Sequence, residues 1–342
     1  MLSIKSMRNE NSSKNTIEDV ARLSGVSKST VSRVLNNHPN VKEKTRRLVL
    51  RAMRQLNYKP NIHARRFASG NSYTISVFLP EIGNQFYGRI LKGVEEELDK
   101  YGYDPALFPL LSRERLKRFS NPNAAAYQSD GFLFVSLDPE KLYHLNPFPL
   151  SRPIVLADGY SDKFDCVYVD NRLGGYLAGK YLCSFSGEFF IILIREFEFP
   201  LSTRVFLERL DGFKTALKEK GIKLPQRNII SVDFSLGGGQ IAARDILQTA
   251  GSSLNIFATC DLLALGVVEE IRRAGLSLKN EVRVIGFDDQ PWAKDYGITT
   301  LHQPIEEMGK MAAHFLMERI RGYKGVTRAI SYKPELIKRS SA

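Results

Sequence analysis

Lys28, Ser29, Ser32 and Arg33 fall within six residues. At about 100° per residue they gather on one arc of a helix, opposite Val31, Val34 and Leu35. Two hydroxyls, an ammonium and a guanidinium on a face without hydrophobic side chains suit a DNA major groove, where base edges offer acceptors and phosphates lie on both sides. A second set is scattered along the rest of the chain: Asp158, Asp261, Asp288 and Asp289, the rings of Phe86, Tyr87 and Phe234, and Arg209 among Arg204, Glu208 and Asp211. Carboxylates, a guanidinium and flat rings hold a polyhydroxylated ligand, by paired hydrogen bonds to vicinal hydroxyls and stacking on its C–H faces. No catalytic constellation accompanies them. Gly237-Gly238-Gly239 lacks the Lys-Ser/Thr of a phosphate loop, and no serine has nucleophile-elbow spacing. His38, His63, His144, His302 and His314 are scattered, as are Cys166, Cys183 and Cys260, so neither a metal nor another cofactor is expected. Three widely spaced cysteines also speak against a disulfide framework and fit a reducing compartment.

The basic arc needs two helices and a turn to present it. Thr16 can cap a first helix, with Asp19 three residues on, and Ile17, Val20 and Ala21 share its inner face. Gly25 supplies the turn, and Ser27 caps a second helix running to about Asn36. A third helix over Lys42 to Leu56 has Val49, Leu50, Met53 and Leu56 as its apolar stripe, with Lys42, Lys44, Arg46, Arg47, Arg51 and Arg54 around it. Asn57 to Pro60 breaks that pattern. The linker that follows could form barely two turns, from Asn61 to Gly70, and needs a partner to fold. In it Arg65 and Arg66 can meet phosphates, and Phe67 is an apolar wedge for a base step in the minor groove.

The scattered acids and rings need a different frame. From Tyr73 onward apolar runs alternate with amphipathic helical stretches, and each acid or ring follows such a run, at the strand ends where open α/β sheets bind ligands. Two doubly wound parallel-sheet lobes with a cleft between them account for the length better than one overlarge sheet. The expected division is a disordered extension over 1–15, a helix-turn-helix domain over 16–60, a hinge over 61–71 and a core over 72–342. Charge follows this division. Of the net +12, residues 1–72 hold +11, from 15 Lys and Arg against 4 Asp and Glu, leaving +1 for the remainder. One module therefore faces a polyanion and the bulk does not. No apolar run approaches membrane-spanning length and no secretory core opens the chain, so a cytoplasmic protein with no membrane partner is expected.

Thr16-Ile-Glu-Asp-Val-Ala-Arg-Leu-Ser-Gly-Val-Ser27, Thr30-Val-Ser-Arg-Val-Leu-Asn36, Lys44-Thr45-Arg46 and Leu56-Asn-Tyr58 resemble the lactose-repressor/galactose-repressor (LacI/GalR) family of bacterial transcription regulators. The resemblance continues through Asn84-Gln-Phe-Tyr87, Val169-Asp-Asn-Arg-Leu-Gly-Gly175, Arg209-Leu-Asp-Gly-Phe213, Asp261-Leu-Leu-Ala-Leu-Gly266, Val284-Ile-Gly-Phe-Asp-Asp289 and Thr299-Thr-Leu-His-Gln-Pro304. It implies an all-α helix-turn-helix domain ahead of a periplasmic-binding-protein-like α/β core. It further implies a homodimer on a pseudo-palindromic double-stranded operator, with an effector, most simply a carbohydrate, held between the lobes. By that resemblance Lys28, Ser29 and Arg33 read bases, and Thr16, Ser27, Thr30, Ser32, Asn36, Thr45, Tyr58 and Asn61 position the backbone. Ala64, Arg65, Arg66 and Phe67 form the minor-groove hinge, and Phe86, Asp158, Arg209, Phe234, Asp261 and Asp288 line the effector site. Phe67 and Cys260 depart from the family's usual leucine and asparagine. The tail after Arg339 lacks the apolar heptads of a tetramerising segment, which favours a dimer. The alternative is a protein that binds or processes a sugar or nucleoside and carries an accessory DNA-binding domain.

Overall fold

The computed structural model describes residues 15–35, 38–58, 71–110, 113–119, 121, 128–143, 151–195, 204–249, 251 and 253–342. Asn36, Asn61, Ala64, Arg65, Arg66, Phe67, His63, His144 and the extension before Asn15 lie outside them. The chain divides into two compact units, Met1–Ser72 and Tyr73–Ala342.

The first unit contains α1 (Ile17–Ser24), α2 (Lys28–Leu35) and α3 (Glu43–Gln55). Thr16 and Asp19 close a reciprocal capping box at the start of α1. Gly25 ends that helix at φ +68°, a left-handed backbone that costs glycine nothing. Val20, Val31, Val34, Val49 and Ala52 make the buried core, with Ile17, Ala21, Leu35, Met53, Leu56 and Tyr58 packed around it. Leu50 does not belong to the inner stripe of α3 and is 42% exposed. The inward positions are 49, 52, 53 and 56, the i, i+3, i+4, i+7 set, and Leu50 lies about 100° away from Val49.

The second unit is two α/β lobes. One sheet comprises β1 (Thr74–Leu79), β2 (Asp104–Pro109), β3 (Gly131–Val135), β4 (Ile154–Ala157), β5 (Asp165–Val169) and β11 (Ala329–Tyr332), in the order β11-β5-β4-β3-β1-β2, all parallel. The other comprises β6 (Glu188–Ile194), β7 (Ile229–Val232), β8 (Leu254–Ala258), β9 (Val282–Asp288), β10 (Thr299–His302) and β12 (Glu335–Ile337), in the order β12-β10-β9-β8-β6-β7. Only the β12–β10 pair is antiparallel. Helices cover both faces, so the central strands β3 and β8 are apolar throughout or nearly so, and fully buried.

The helices of this unit are α4 (Gln85–Leu98), α5 (Arg113–Phe119), α6 (Pro139–Tyr143), α7 (Asn171–Leu182), α8 (Val205–Glu219), α9 (Leu236–Thr249), α10 (Asp261–Arg273) and α11 (Ile305–Ile320). Although α11 lies near the end of the chain, it packs on α4 and completes the first lobe, as β11 does. The chain therefore crosses between lobes three times, before α7, before α11 and before β12. Asp165 fastens the returning segment. Its buried carboxylate takes bonds of 2.7 and 2.9 Å from Arg319 and of 2.7 Å from Arg328, whose guanidinium lies 3.9 Å over Phe315. Burial pushes the Asp165 carboxyl up, but these hydrogen bonds prevail and hold it below the ordinary carboxylate value.

Candidate functional site

On the first unit, Ser27 caps α2 by accepting from the Thr30 amide at 3.2 Å, and its hydroxyl lies 2.8 Å from that of Ser29 and 2.9 Å from that of Thr30. Lys28 pairs with Glu18 of α1, and the Lys28 bond holds the Glu18 carboxyl below its usual value. Both side chains stand in solvent, so the pair is weak and readily exchanged for another acceptor. Arg33 is exposed, while Ser32, Thr45 and Tyr58 are half-buried. Thr16 donates its hydroxyl to Asp19 at 2.8 Å. Arg46, read in the sequence as surface charge, instead reaches the carbonyls of Val34 at 3.5 Å and His38 at 3.3 Å, tying α3 to the last turn of α2 and to the segment after it.

In the second unit, Arg209 is the buried cation about which the cleft is built. Helices α7 and α8 approach so closely at Gly175 that a Cβ there would stand 1.9 Å from the Arg209 carbonyl oxygen. This proximity lets Arg209 Nε donate to Asn171 Oδ1 at 2.8 Å while Nη1 donates to the Thr259 carbonyl. The guanidinium lies 3.5 Å over the Phe287 ring and 4.0 Å from Asp288 Oδ1.

Asp158, after β4, accepts from Ser136 Oγ at 2.5 Å through one oxygen, and its other oxygen has no partner. Asp288, at the end of β9, accepts from Gln303 Nε2 at 2.6 Å, and Gln303 Oε1 is likewise unpartnered. Burial pushes the Asp158 carboxyl up to about 6 and the Asp288 carboxyl up to about 7, despite the nearby Arg209. Positive φ is shared by Asp158 (+57°), Asp288 (+114°) and Asp289 (+50°). Such backbone costs non-glycine residues about 1–3 kcal/mol each and collects at functional sites.

The other sequence candidates are divided. Phe86 is buried at the start of α4 against Tyr87. Phe234 lines a cavity of about 720 Å³ together with Asp288, Gln290, Trp292, Tyr296 and the first lobe's Glu81 to Gln85. Both oxygens of Asp261 are taken within its own lobe, by Thr300 Oγ1 at 2.5 Å and the Gln290 amide at 2.7 Å. Asp289 is held by His302 at 3.0 Å and Arg339 at 2.6 Å. A smaller space of about 310 Å³ lies beside Asn171, Tyr160 and Glu208. Cys260 is buried with the apolar core at the head of α10, and burial pushes its thiol up. Gln303, Arg89 and Trp292 were not singled out individually from the sequence. Among the described residues no group of His, Cys, Asp and Glu is placed to hold a metal ion, and no helix is long and apolar enough to cross a membrane.

A helix-turn-helix unit ahead of a cleft-bearing α/β core defines a DNA-binding regulator with a ligand-binding body, and comparison with known proteins agrees. Residues 16–61 match the bacterial regulatory proteins of the lacI family, and residues 191–342 match the periplasmic binding protein-like domain. The chain is 31% identical to the HTH-type transcriptional regulator DegA of Bacillus subtilis strain 168, over 96% of this chain and 98% of that one. It is 30% identical to the ribose operon repressor of Escherichia coli K12, over 96% and 99%. The solved complex of the transcriptional regulator CelR with cellobiose superimposes with a TM-score of 0.70 at 27% identity, covering 96% of this chain and all of that one. The chain belongs to the lacI family of bacterial regulatory proteins: it is a transcription regulator and not an enzyme.

Proposed function

We propose that the protein is a cytoplasmic repressor that grips a pseudo-palindromic operator as a homodimer, and that an uncharged sugar between the lobes sets the strength of the grip. In this reading Lys28, Ser29 and Arg33 contact base edges, and Thr16, Ser27, Thr30, Ser32, Asn36, Thr45, Tyr58 and Asn61 position the phosphates. Ala64, Arg65, Arg66 and Phe67 enter the minor groove. Phe86, Asp158, Arg209, Phe234 and Asp288 touch the sugar, and Asp261 holds the turn that carries Asp288. The relatives named for ribose and cellobiose support a carbohydrate effector.

The observation that carries the reading is buried Arg209 paired with Asp288 and near enough to Asp158 to act on its charge, beside unpartnered oxygens on Asp158 and Gln303. Unsatisfied buried acceptors call for hydroxyl donors, and vicinal diols can accept from a guanidinium while donating to a carboxylate. A sugar that binds the two lobe arrangements unequally shifts their populations, and with them the operator fit.

The experiment is thermal unfolding of the full chain against a panel of neutral mono- and disaccharides, followed by operator binding with any stabilising sugar. A ligand at about 100 times its Kd stabilises by about 2.7 kcal/mol, which a melting curve resolves. A stabilising sugar that also alters operator affinity is the expected result. A panel without effect on either quantity would refute the carbohydrate assignment.

A further inference from the structure

One side chain has partners in both lobes. Arg89, on α4 of the first lobe, donates Nε and Nη2 to the two oxygens of Glu306 on α11, each at 2.8 Å. Its Nη1 crosses to the second lobe and donates to the carbonyl oxygens of Asp288 at 3.4 Å and Asp289 at 3.2 Å. The bidentate pair fixes the plane of the guanidinium, so the third nitrogen is aimed at the end of β9 without further adjustment. That bond also holds the Glu306 carboxyl below its ordinary value.

We propose that Arg89 is a positioning residue for the effector site, latching the two lobes together and holding the Asp288–Asp289 turn in the shape that presents Asp288 to the cleft. Two successive non-glycine residues with positive φ persist only where their surroundings over-determine them. Within its own lobe the turn is tied by Asp261 to the Gln290 amide, and by His302 and Arg339 to the Asp289 carboxylate. Arg89 supplies a tie from the opposite lobe, at the residue whose carboxylate lines the cavity. Sensing and closure then share one turn, and opening the lobes slackens the carboxylate's backbone. The groups facing Asp288 are Arg209 on α8, Gln303 after β10, Asp158 after β4, Asp261 and Cys260 at the head of α10, Tyr87 on α4, and Arg89 itself. Removing Arg89 therefore takes a cation from this surrounding.

The role rests on the effector reading of the cleft, but closure can be measured with no effector present. Trp292, the single tryptophan of the sequence, lines the same cavity, and its indole N–H donates across the cleft to Gln85. In the full chain, Arg89→Ala is expected to red-shift Trp292 emission and increase its quenching by acrylamide. It should also move the acid titration of that emission to higher pH, because Asp288 has lost a cation. Arg89→Lys, which keeps the charge without the fork, should restore the titration midpoint and leave the red shift. Glu306→Gln should red-shift emission as Arg89→Ala does, and it serves if the alanine variant fails to fold. Parental emission, quenching and titration in folded Arg89→Ala, or parental emission in Glu306→Gln, would overturn the latch and leave the sugar assignment standing.

Discussion

At the scale of single residues, the cleft is built against its own stability. Asp158 and Asp288 are buried with their carboxyls pushed up to about 6 and about 7 from an ordinary 3.8. A carboxyl raised on folding contributes stability that is fully present below its unfolded value and is lost as pH climbs through the folded one. The sugar-free protein should therefore lose thermal stability between about pH 4 and pH 7, the reverse of the Asp165 contribution, which is lost as pH falls. Asp288→Asn keeps an acceptor for Gln303 and cannot ionise. At about 1.4 kcal/mol per pH unit of displacement, it should recover on the order of 2–4 kcal/mol near pH 8. The same variant should lose its response to sugar. Hydroxyl donors favour the ionised carboxylate, so the affinity of the parent chain for its sugar should rise across this window and level off above about pH 7. Calorimetric unfolding and isothermal titration at several pH values test both slopes; a flat stability profile would mean that the cleft carboxylates are not strained in this way.

At the scale of elements, the decisive contact is the approach of α7 to α8. Gly175→Ala would drive a methyl to within 1.9 Å of the Arg209 carbonyl oxygen, so α8 must withdraw and carry its guanidinium away from Asn171 and Phe287. Overpacking of this kind costs about 1–3 kcal/mol, which a urea midpoint will show. The larger expected effect is on sugar affinity, down at least about tenfold for a loss of 1.4 kcal/mol or more in the cleft. A variant with parental affinity would detach Arg209 from ligand binding. Much of this scale was legible in the sequence, because long buried strands and capped amphipathic helices advertise their period, and the strand-end acids Asp158 and Asp288 follow directly from where the apolar runs stop. Leu50 misled because an apolar residue one position off the stripe resembles a member of it. Strands β10, β11 and β12 were not read, since three or four residues such as Thr299-Thr-Leu-His302 carry no alternation to recognise. Arg89 and Trp292 were equally hidden, for each takes its meaning from a partner about 200 residues away in the chain.

At the scale of the whole molecule, charge and chemistry are segregated. Residues 1–72 carry +11 of the net +12, whereas the core balances its charges and holds the unpartnered oxygens of Asp158 and Gln303 in the cleft. A polyanion should therefore feel the first unit almost alone, and the affinity of the full chain for any duplex should fall with salt at a slope of about −0.9 for each phosphate neutralised. In the proposed reading, specificity comes from the arc of α2 that carries Lys28, Ser29 and Arg33. Arg33→Ala is expected to cost about 1–3 kcal/mol on the preferred duplex, to relax selection at one base position and to change non-specific binding much less. Arg65→Ala, by contrast, should weaken all duplexes alike and lower the salt slope by about 1. Selection of duplexes from a random pool, followed by titration of the winner and a scrambled control at two salt concentrations, separates the two effects. If Arg33→Ala weakened both duplexes equally, α2 would be a phosphate clamp and the reader of sequence would have to be sought on another face of the first unit.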